Sequence, residues 1–267
     1  TTEIYTLSLH DALPISDAPG LQWQWHANPQ VTWSAQLRGT GYLRLFPIAL
    51  PANTPNLWLM PNLLLQKFPA PDFTATTFVK WNVDSTTWQG KRAGLLIMGN
   101  DYAGLVISKD EQGYKVSQLV CKNAKSGSAE AIIAEKRLSG NAVYLRVEVS
   151  RPDARCQFSF STSGTNFSPI GEPFLAKPDT WIGAKVGLFC SSINPARRGG
   201  HADFEWFRMG RGSDFPRDTS YTLQSSYEHI LKKHPQVQPI RARLPRGVQF
   251  QKDVVYAQVG GRALHLD

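Results

Sequence analysis

The feature that most constrains this chain is a series of short segments in which apolar and polar residues alternate, repeated from residue 21 to residue 209. Leu21, Trp23 and Trp25 share one face in LQWQW, and the segments YLRVEVS and CQFSFS have the same period. Such alternation is typical of β-strands that bury one face. Glycine, proline, asparagine and aspartate keep the segments short, and no useful helical stripe occurs among them. Two stacked sheets would bury all these faces, so the pattern predicts a β-sandwich.

Two late segments refine this prediction. STSGTNFSPIG contains four turn residues after an apolar strand and predicts a tight hairpin. GGHADFEWFRM predicts a last strand, in which strict alternation places Phe204 and Trp206 on one face. The same alternation places Asp203, Glu205 and Phe207 on the opposite face.

The pattern changes after Met209. GRGSDFPRD is typical of a linker, and apolar residues then recur at helical intervals in SYTLQSSYEHILKKHP, which ends at Pro235. VQFQKDVVYAQVGGRALHLD alternates again around Gly260 and Gly261, which predicts a hairpin with a two-residue turn. A helix and one hairpin bury little by themselves. We therefore expect them to be the opening of an incomplete second domain.

Composition excludes several classes of protein. Apolar residues make up 42% of the chain and charged residues 19%, and no run reaches the roughly 18 apolar residues that a membrane span needs. The net charge of +8 has no nucleic-acid motif beside it, so we expect a solvated basic surface and neither a nucleic-acid nor a membrane partner. The three cysteines, Cys121, Cys156 and Cys190, lack CxxC spacing and indicate buried thiols, with one bridge left open.

Several motifs in order carry a family resemblance. They are LQWQWHANP, GYLRL, NLLLQKFPAPDFTATTFVKW, RAGLLIMGNDYAGLVI, YLRVEVS, WIGAKVGLFC and GGHADFEWFRM. Together they resemble the C-terminal concanavalin A-like domain of glycoside hydrolase family 43 enzymes of the β-xylosidase and arabinofuranosidase type. The resemblance implies an all-β, two-sheet jelly-roll sandwich. It also implies an accessory role in xylan or arabinoxylan degradation, in which the sandwich packs on an upstream catalytic propeller and shapes its sugar pocket.

The two ends of the chain differ from its middle. Residues 3–15 resemble the translation of a common sequencing adapter, so we expect residues 1–16 to be an artefact. We assign residues 17–209 to the sandwich and 210–240 to a linker and helix. Residues 241–267 resemble the first two strands of α/β-hydrolase esterases, and we expect them to be the truncated start of such a domain.

The sequence contains no convincing catalytic group. Glycosidases need two carboxylates flanking the scissile bond, and Asp203 and Glu205 alternate with core aromatics, which favours structural roles for both. No G-x-S-x-G nucleophile motif occurs. We expect the chain to belong to a glycoside hydrolase polypeptide but to be inactive alone. A periplasmic or secreted location is favoured over a cytoplasmic one.

Aromatic residues are the best candidates for contact with a plant cell-wall oligosaccharide. Trp181 follows Pro178 at a loop edge, and the resemblance implies that its side chain helps to line the sugar pocket of the propeller. In the alternative interpretation, the sandwich is an independent carbohydrate-binding module, with Trp33, Trp58 and Trp88 as a stacking platform. Packing in the core or at an interface explains these side chains equally well.

Metal ligation is weakly indicated. Asn100 and Asp101 in MGNDYAG supply oxygen ligands of the kind that calcium prefers, so a structural calcium ion is the one cofactor that we consider. A turn stabilised by hydrogen bonds from side chain to backbone explains the same two residues.

Overall fold

The computed structural model of the chain describes residues 22–37, 42–84, 86–178, 183–193, 199–211, 223–238, 254–259 and 262–266. The chain divides into two compact units, Thr1–Phe215 and Pro216–Asp267. Within the described residues of the first unit, the only helical segment is a 3-10 turn at Ala124–Ser126. No helix in the described parts of the chain is long and apolar enough to cross a membrane.

In its described residues, the first unit consists of two eight-stranded sheets, which confirms the predicted sandwich. Sheet A contains β1 (Gln24–Trp25), β4 (Ile48–Ala49), β5 (Leu64–Lys67), β7 (Lys91–Met98), β8 (Tyr102–Asp110), β9 (Gly113–Cys121), β10 (Ala131–Leu138) and β15 (Lys185–Ser192). Sheet B contains β2 (Ser34–Leu37), β3 (Tyr42–Leu45), β6 (Phe73–Asn82), β11 (Ala142–Ser150), β12 (Arg155–Ser161), β13 (Ser168–Pro169), β14 (Phe174–Leu175) and β16 (His201–Arg211).

The strand order places long strands at the centre of each sheet. Sheet A runs β1-β5-β15-β7-β8-β9-β10, with β4 beside β15, and sheet B runs β13-β12-β11-β6-β16-β3-β2, with β14 beside β12. Every pair is antiparallel except β4 with β15. Neighbours in each sheet are often distant in sequence, as β6 and β16 are, so the pairing fixes residues far apart in the chain.

The inner faces of the two sheets pack together into one apolar core. Alternate residues of β7, among them Leu95 and Ile97, point into it from sheet A. Alternate residues of β11, among them Val143 and Leu145, point into it from sheet B. The largest fully buried side chains of this core include Trp81, Phe158, Phe204 and Phe207.

The outer face of sheet A is buried as well. Leu57, Met60 and Leu63, which precede β5, cover an apolar cluster that includes Leu96 of β7. Tyr102 fastens this covering segment, because its hydroxyl accepts a hydrogen bond from the Leu57 amide at 2.8 Å. Among the described residues no comparable apolar cluster covers the outer face of sheet B.

The predicted alternation of the last strand is wrong beyond Phe204. A bulge between Phe204 and Trp206 in the pairing of β16 with β6 adds one residue to β16. Phe204 and Phe207 are therefore both fully buried, whereas Trp206 lies partly exposed on the outer face. The Thr77 hydroxyl donates a hydrogen bond to the Trp206 carbonyl at 2.6 Å and so satisfies a backbone acceptor at the bulge.

The predicted hairpin after Phe160 is present, but its turn is longer than expected. Phe160 of β12 pairs with Ser168 of β13, so six residues connect the two strands. In the second unit, the predicted helix is α1 (Leu223–Lys233). The predicted C-terminal hairpin is also present, as β17 (Val254–Val259) paired with β18 (Arg262–Leu266).

All three cysteines are free and buried, which confirms the prediction of buried thiols and excludes the bridge that the sequence left open. Burial raises the pKa of the Cys156 thiol to about 12 and raises the pKa of Cys190 well above its usual value. Thiols are nucleophilic as thiolates, so these two side chains are chemically inert in the folded sandwich.

The bulge predicts unequal effects of two neighbouring substitutions. We expect Phe207→Ala to lower the free energy of unfolding by about 3–5 kcal/mol, because it opens a cavity in the core. We expect Trp206→Ala to lower it by about 1–2 kcal/mol, because this ring is partly exposed. Urea unfolding followed by circular dichroism measures both values. A larger loss for Trp206→Ala would contradict the observed register.

Candidate functional site

The chain that leads towards Trp181 is anchored to sheet A at the turn between β7 and β8. The Lys177 ammonium lies 3.0 Å from the Asp101 carboxylate. A Cβ atom on Gly99 would overlap the Lys177 carbonyl oxygen, so only glycine permits this close approach. The Ala176 amide also donates to the Ala154 carbonyl at 3.1 Å. The chain is therefore fixed at Ala176 and Lys177, a few residues before Trp181.

Trp181 itself lies outside the described residues, so its predicted role in a sugar pocket stays a prediction. The strand that follows it is firmly placed, because Lys185 at the start of β15 pairs with both Lys67 and Met98. The described residues on either side of Trp181 are thus both held against sheet A.

The Asp101 carboxylate and the Asn100 backbone carbonyl have partners within the chain, whereas the sequence suggested a calcium ion at these two residues. One Asp101 carboxylate oxygen accepts the Asn123 amide at 2.7 Å, and the other faces the Lys177 ammonium. A cation would have to displace that ammonium, so the arrangement does not favour calcium. The Asn100 carbonyl accepts the Ala124 amide at 3.1 Å. Among the described residues, no three His, Cys, Asp or Glu side chains are grouped to hold a metal ion.

The three tryptophans of the alternative platform occupy different parts of the sandwich. Trp33 is only 3% exposed and packs edge to face against Trp25, with ring centroids 5.5 Å apart. A ring buried in this way does not offer a face to a sugar. Trp58 is partly buried against the outer cluster of sheet A, and Trp88 is partly exposed in the turn before β7.

Asp203 has the structural role that the sequence favoured. The Arg44 guanidinium donates to both of its carboxylate oxygens, at 2.7 and 2.9 Å, and the Asn82 amide donates to one of them at 3.1 Å. His201 lies 3.4 Å from the same carboxylate. Asp203 is 8% exposed and its acceptors are occupied, so it is not poised as a glycosidase acid or nucleophile. Glu205 is the unpaired residue of the bulge in β16.

Sequence reasoning missed a set of aromatic side chains on the outer face of sheet B. Phe78, Tyr144 and Trp206, here called the outer-face aromatic group, lie side by side on β6, β11 and β16. The ring centroids of Phe78 and Tyr144 are 4.6 Å apart, and those of Tyr144 and Trp206 are 6.0 Å apart. The alternation in YLRVEVS predicts that Tyr144 lies on the outer face of its strand. Periodicity assigns Trp206 to the wrong face, because it takes no account of the bulge in β16.

Comparison with known proteins identifies the sandwich. Residues 16–210 match the family described as the beta xylosidase C-terminal concanavalin A-like domain. The chain belongs to this family. The resemblance drawn from the sequence motifs is thereby confirmed for the sandwich, whereas the esterase-like tail and the adapter-like head stay predictions.

Three relatives illustrate the similarity. A putative beta-xylosidase of Xylanibacter ruminicola is 30% identical over 183 residues, which cover 68% of this chain and 31% of the relative. The bifunctional GH43-CE protein of Bacteroides eggerthii has a TM-score of 0.63 at 22% identity, covering 73% of this chain and 24% of that one. The xylan beta-1,4-xylosidase of Bacillus halodurans C-125 has a TM-score of 0.58 at 20% identity, covering 73% and 38%. The chain thus spans about a third of the curated relative.

The anchor at Asp101 predicts a pH-dependent contribution to stability. Burial alone would raise the pKa of Asp101, but the Asn123 amide and the Lys177 ammonium outweigh it and lower the pKa below its usual value. A carboxylate with a lowered pKa stabilises the fold at pH values above its unfolded pKa, and this stabilisation disappears as the pH falls through the folded pKa. Asp101→Asn should therefore cost about 1–3 kcal/mol at pH 7.

Urea unfolding at a series of pH values measures this contribution. We expect the difference between the wild-type chain and Asp101→Asn to shrink as the pH falls below about 4. Lys177→Gln is the matched control, and it should cost less than about 1 kcal/mol because the Lys177 side chain is 64% exposed. A difference that stays constant down to a pH of about 2 would mean that the charge of Asp101 contributes nothing.

Proposed function

We propose that the sandwich is the accessory domain of a GH43 enzyme that degrades xylan or arabinoxylan, and that it packs on the catalytic propeller and shapes its sugar pocket. The observation that carries this proposal is the family match over residues 16–210. The names of the relatives, a putative beta-xylosidase and a xylan beta-1,4-xylosidase, support the substrate class. The propeller is the partner that the family resemblance implies.

The anchored chain on both sides of Trp181 supports the pocket-shaping part of the proposal. Before it, Lys177 is held by the ion pair with Asp101, and after it, β15 lies in the centre of sheet A. A short connection between two fixed positions presents a side chain at low entropic cost. Trp181 is therefore the residue that we propose to contact sugar bound in the propeller.

The alternative is an independent carbohydrate-binding module. Burial of Trp33 weakens the platform first considered for it, and Trp58 and Trp88 remain partly exposed. A module would bind neutral xylo-oligosaccharides without the propeller. An accessory domain would change how the propeller binds and hydrolyses its substrate.

A chimera tests the accessory role. Residues 16–211 of this chain would replace the matched 183 residues of the Xylanibacter ruminicola relative, and hydrolysis of xylobiose by this chimera would be the reference. We expect Trp181→Ala to raise KM about tenfold, because one stacking wall of the pocket is lost. Trp88→Ala is the matched control, since β7 and β15 begin at opposite ends of sheet A, and it should leave KM unchanged.

Two results would contradict the accessory role. One is an equal KM for the Trp181→Ala and Trp88→Ala chimeras. The other is binding of neutral xylo-oligosaccharides by the 267-residue chain alone that Trp58→Ala or Trp88→Ala abolishes, which would favour the module.

A further inference from the structure

The outer face of sheet B combines aromatic rings with two arginines in adjacent rows. The first row is the outer-face aromatic group. In the next row, Arg146 of β11 and Arg208 of β16 both pair with Thr76 of β6. Two strand spacings of about 4.8 Å therefore separate the two arginine backbones. Both guanidinium groups rise from the same face as the rings.

Each guanidinium is positioned by a ring. The Arg146 guanidinium carbon lies 3.5 Å from the centroid of Phe167, and its Nε donates to the Thr76 hydroxyl at 3.1 Å. The Arg208 guanidinium carbon lies 4.1 Å from the centroid of Trp206. Stacking on a ring leaves the edge of a guanidinium, with its N–H donors, free for a ligand.

Neither guanidinium has a carboxylate within ion-pair distance among the described residues. Glu148, two residues along β11 on the same face, is the carboxylate that acts on Arg146 through space, and it is exposed. Burial lowers the pKa of Arg146 below its usual value. A partly desolvated cation that makes no direct ion pair favours an anion nearby.

Among the described residues no second apolar cluster covers this face, in contrast to the outer face of sheet A. The hairpin loop between β12 and β13 borders it. Gly164 has a positive φ of 82°, and a Cβ there would lie 2.8 Å from the Tyr144 ring, so the loop packs closely on one end of the aromatic row. The loop also supplies Phe167 beneath Arg146.

We propose that this face binds an acidic saccharide, a xylo-oligosaccharide that carries a uronic acid. The rings would stack on the C–H faces of the sugar units, and the guanidinium groups would hold the carboxylate by paired N–H···O bonds. The polysaccharide class rests on the proposed function, whereas the preference for an anion rests on Arg146 and Arg208.

Single-stranded nucleic acid also binds to aromatic and basic surfaces, but the charges on the outer face of sheet B favour a ligand with few charges. Nucleic-acid binding depends on many phosphate contacts along a basic track. Besides the two guanidinium groups, the same side of sheet B carries exposed Lys80 and Arg155, exposed Glu148, and the ion pair of Arg44 with Asp203. These charges are few and mixed in sign. A single carboxylate among neutral sugar units matches that distribution better.

Calorimetric titration of the 267-residue chain tests the proposal. The probes are a glucuronic acid-substituted xylo-oligosaccharide, the same compound with its carboxylate reduced to an alcohol, and a single-stranded oligonucleotide. We expect the acidic sugar to bind about tenfold more tightly than its reduced form. Arg146→Gln and Arg208→Gln should each remove most of that difference, and Trp206→Ala should weaken both sugars alike.

Lys136→Gln is the matched control, because it removes one positive charge from exposed strand β10 of sheet A. Thermal unfolding of each variant checks that it is folded. Equal binding of the acidic and reduced sugars would overturn the proposal, as would arginine variants that bind like Lys136→Gln. Tighter binding of the oligonucleotide than of the acidic sugar would overturn it too. None of these results affects the Trp181 experiment, so failure here leaves the accessory role standing.

Discussion

Burial of the inner faces of the two sheets against each other is the interaction on which the rest of the sandwich depends. Central strands such as β7 and β11 contribute apolar residues at every second position, and these side chains meet in a single core. The pairing of β6 with both β11 and β16 brings residues from the middle and the end of the unit into one sheet. The packed sheets position both the chain that leads towards Trp181 and the outer face of sheet B, for which roles are proposed.

The two sheets differ in what covers their outer faces. Sheet A carries a second apolar cluster on its outside, closed by the segment before β5 and fastened through Tyr102. At one end of sheet A, Asp101 and Lys177 anchor the chain that leads towards Trp181. Sheet B lacks such a cover in the described residues and presents rings and guanidinium groups instead. Sheet B is therefore the one for which we propose a ligand on the outer face.

Periodicity predicts the fold class, the late helix and the C-terminal hairpin, because each depends on local alternation or spacing. It fails at Trp206, because a bulge depends on the partner strand and leaves no mark in the sequence of β16 itself. Periodicity also cannot predict that Trp33 is buried and Trp88 is partly exposed, since residues distant in the chain decide the burial of each ring. The sequence marks Asp101 as a candidate ligand, but its partner Lys177 becomes visible only in three dimensions.

The single extra residue in β16 decides which face each later side chain of the strand occupies. Residues before the bulge follow one phase of in-and-out alternation, and residues after it follow the other. Loss of Glu205 would let β16 pair with β6 residue for residue and would leave Phe207 and Met209 in the core. The full sequence without a bulge would instead turn both outward and bring charged Arg208 into the apolar interior. Loss of the bulge residue would therefore leave the faces of this strand unchanged, whereas closing the bulge in the full sequence would invert them beyond Phe204.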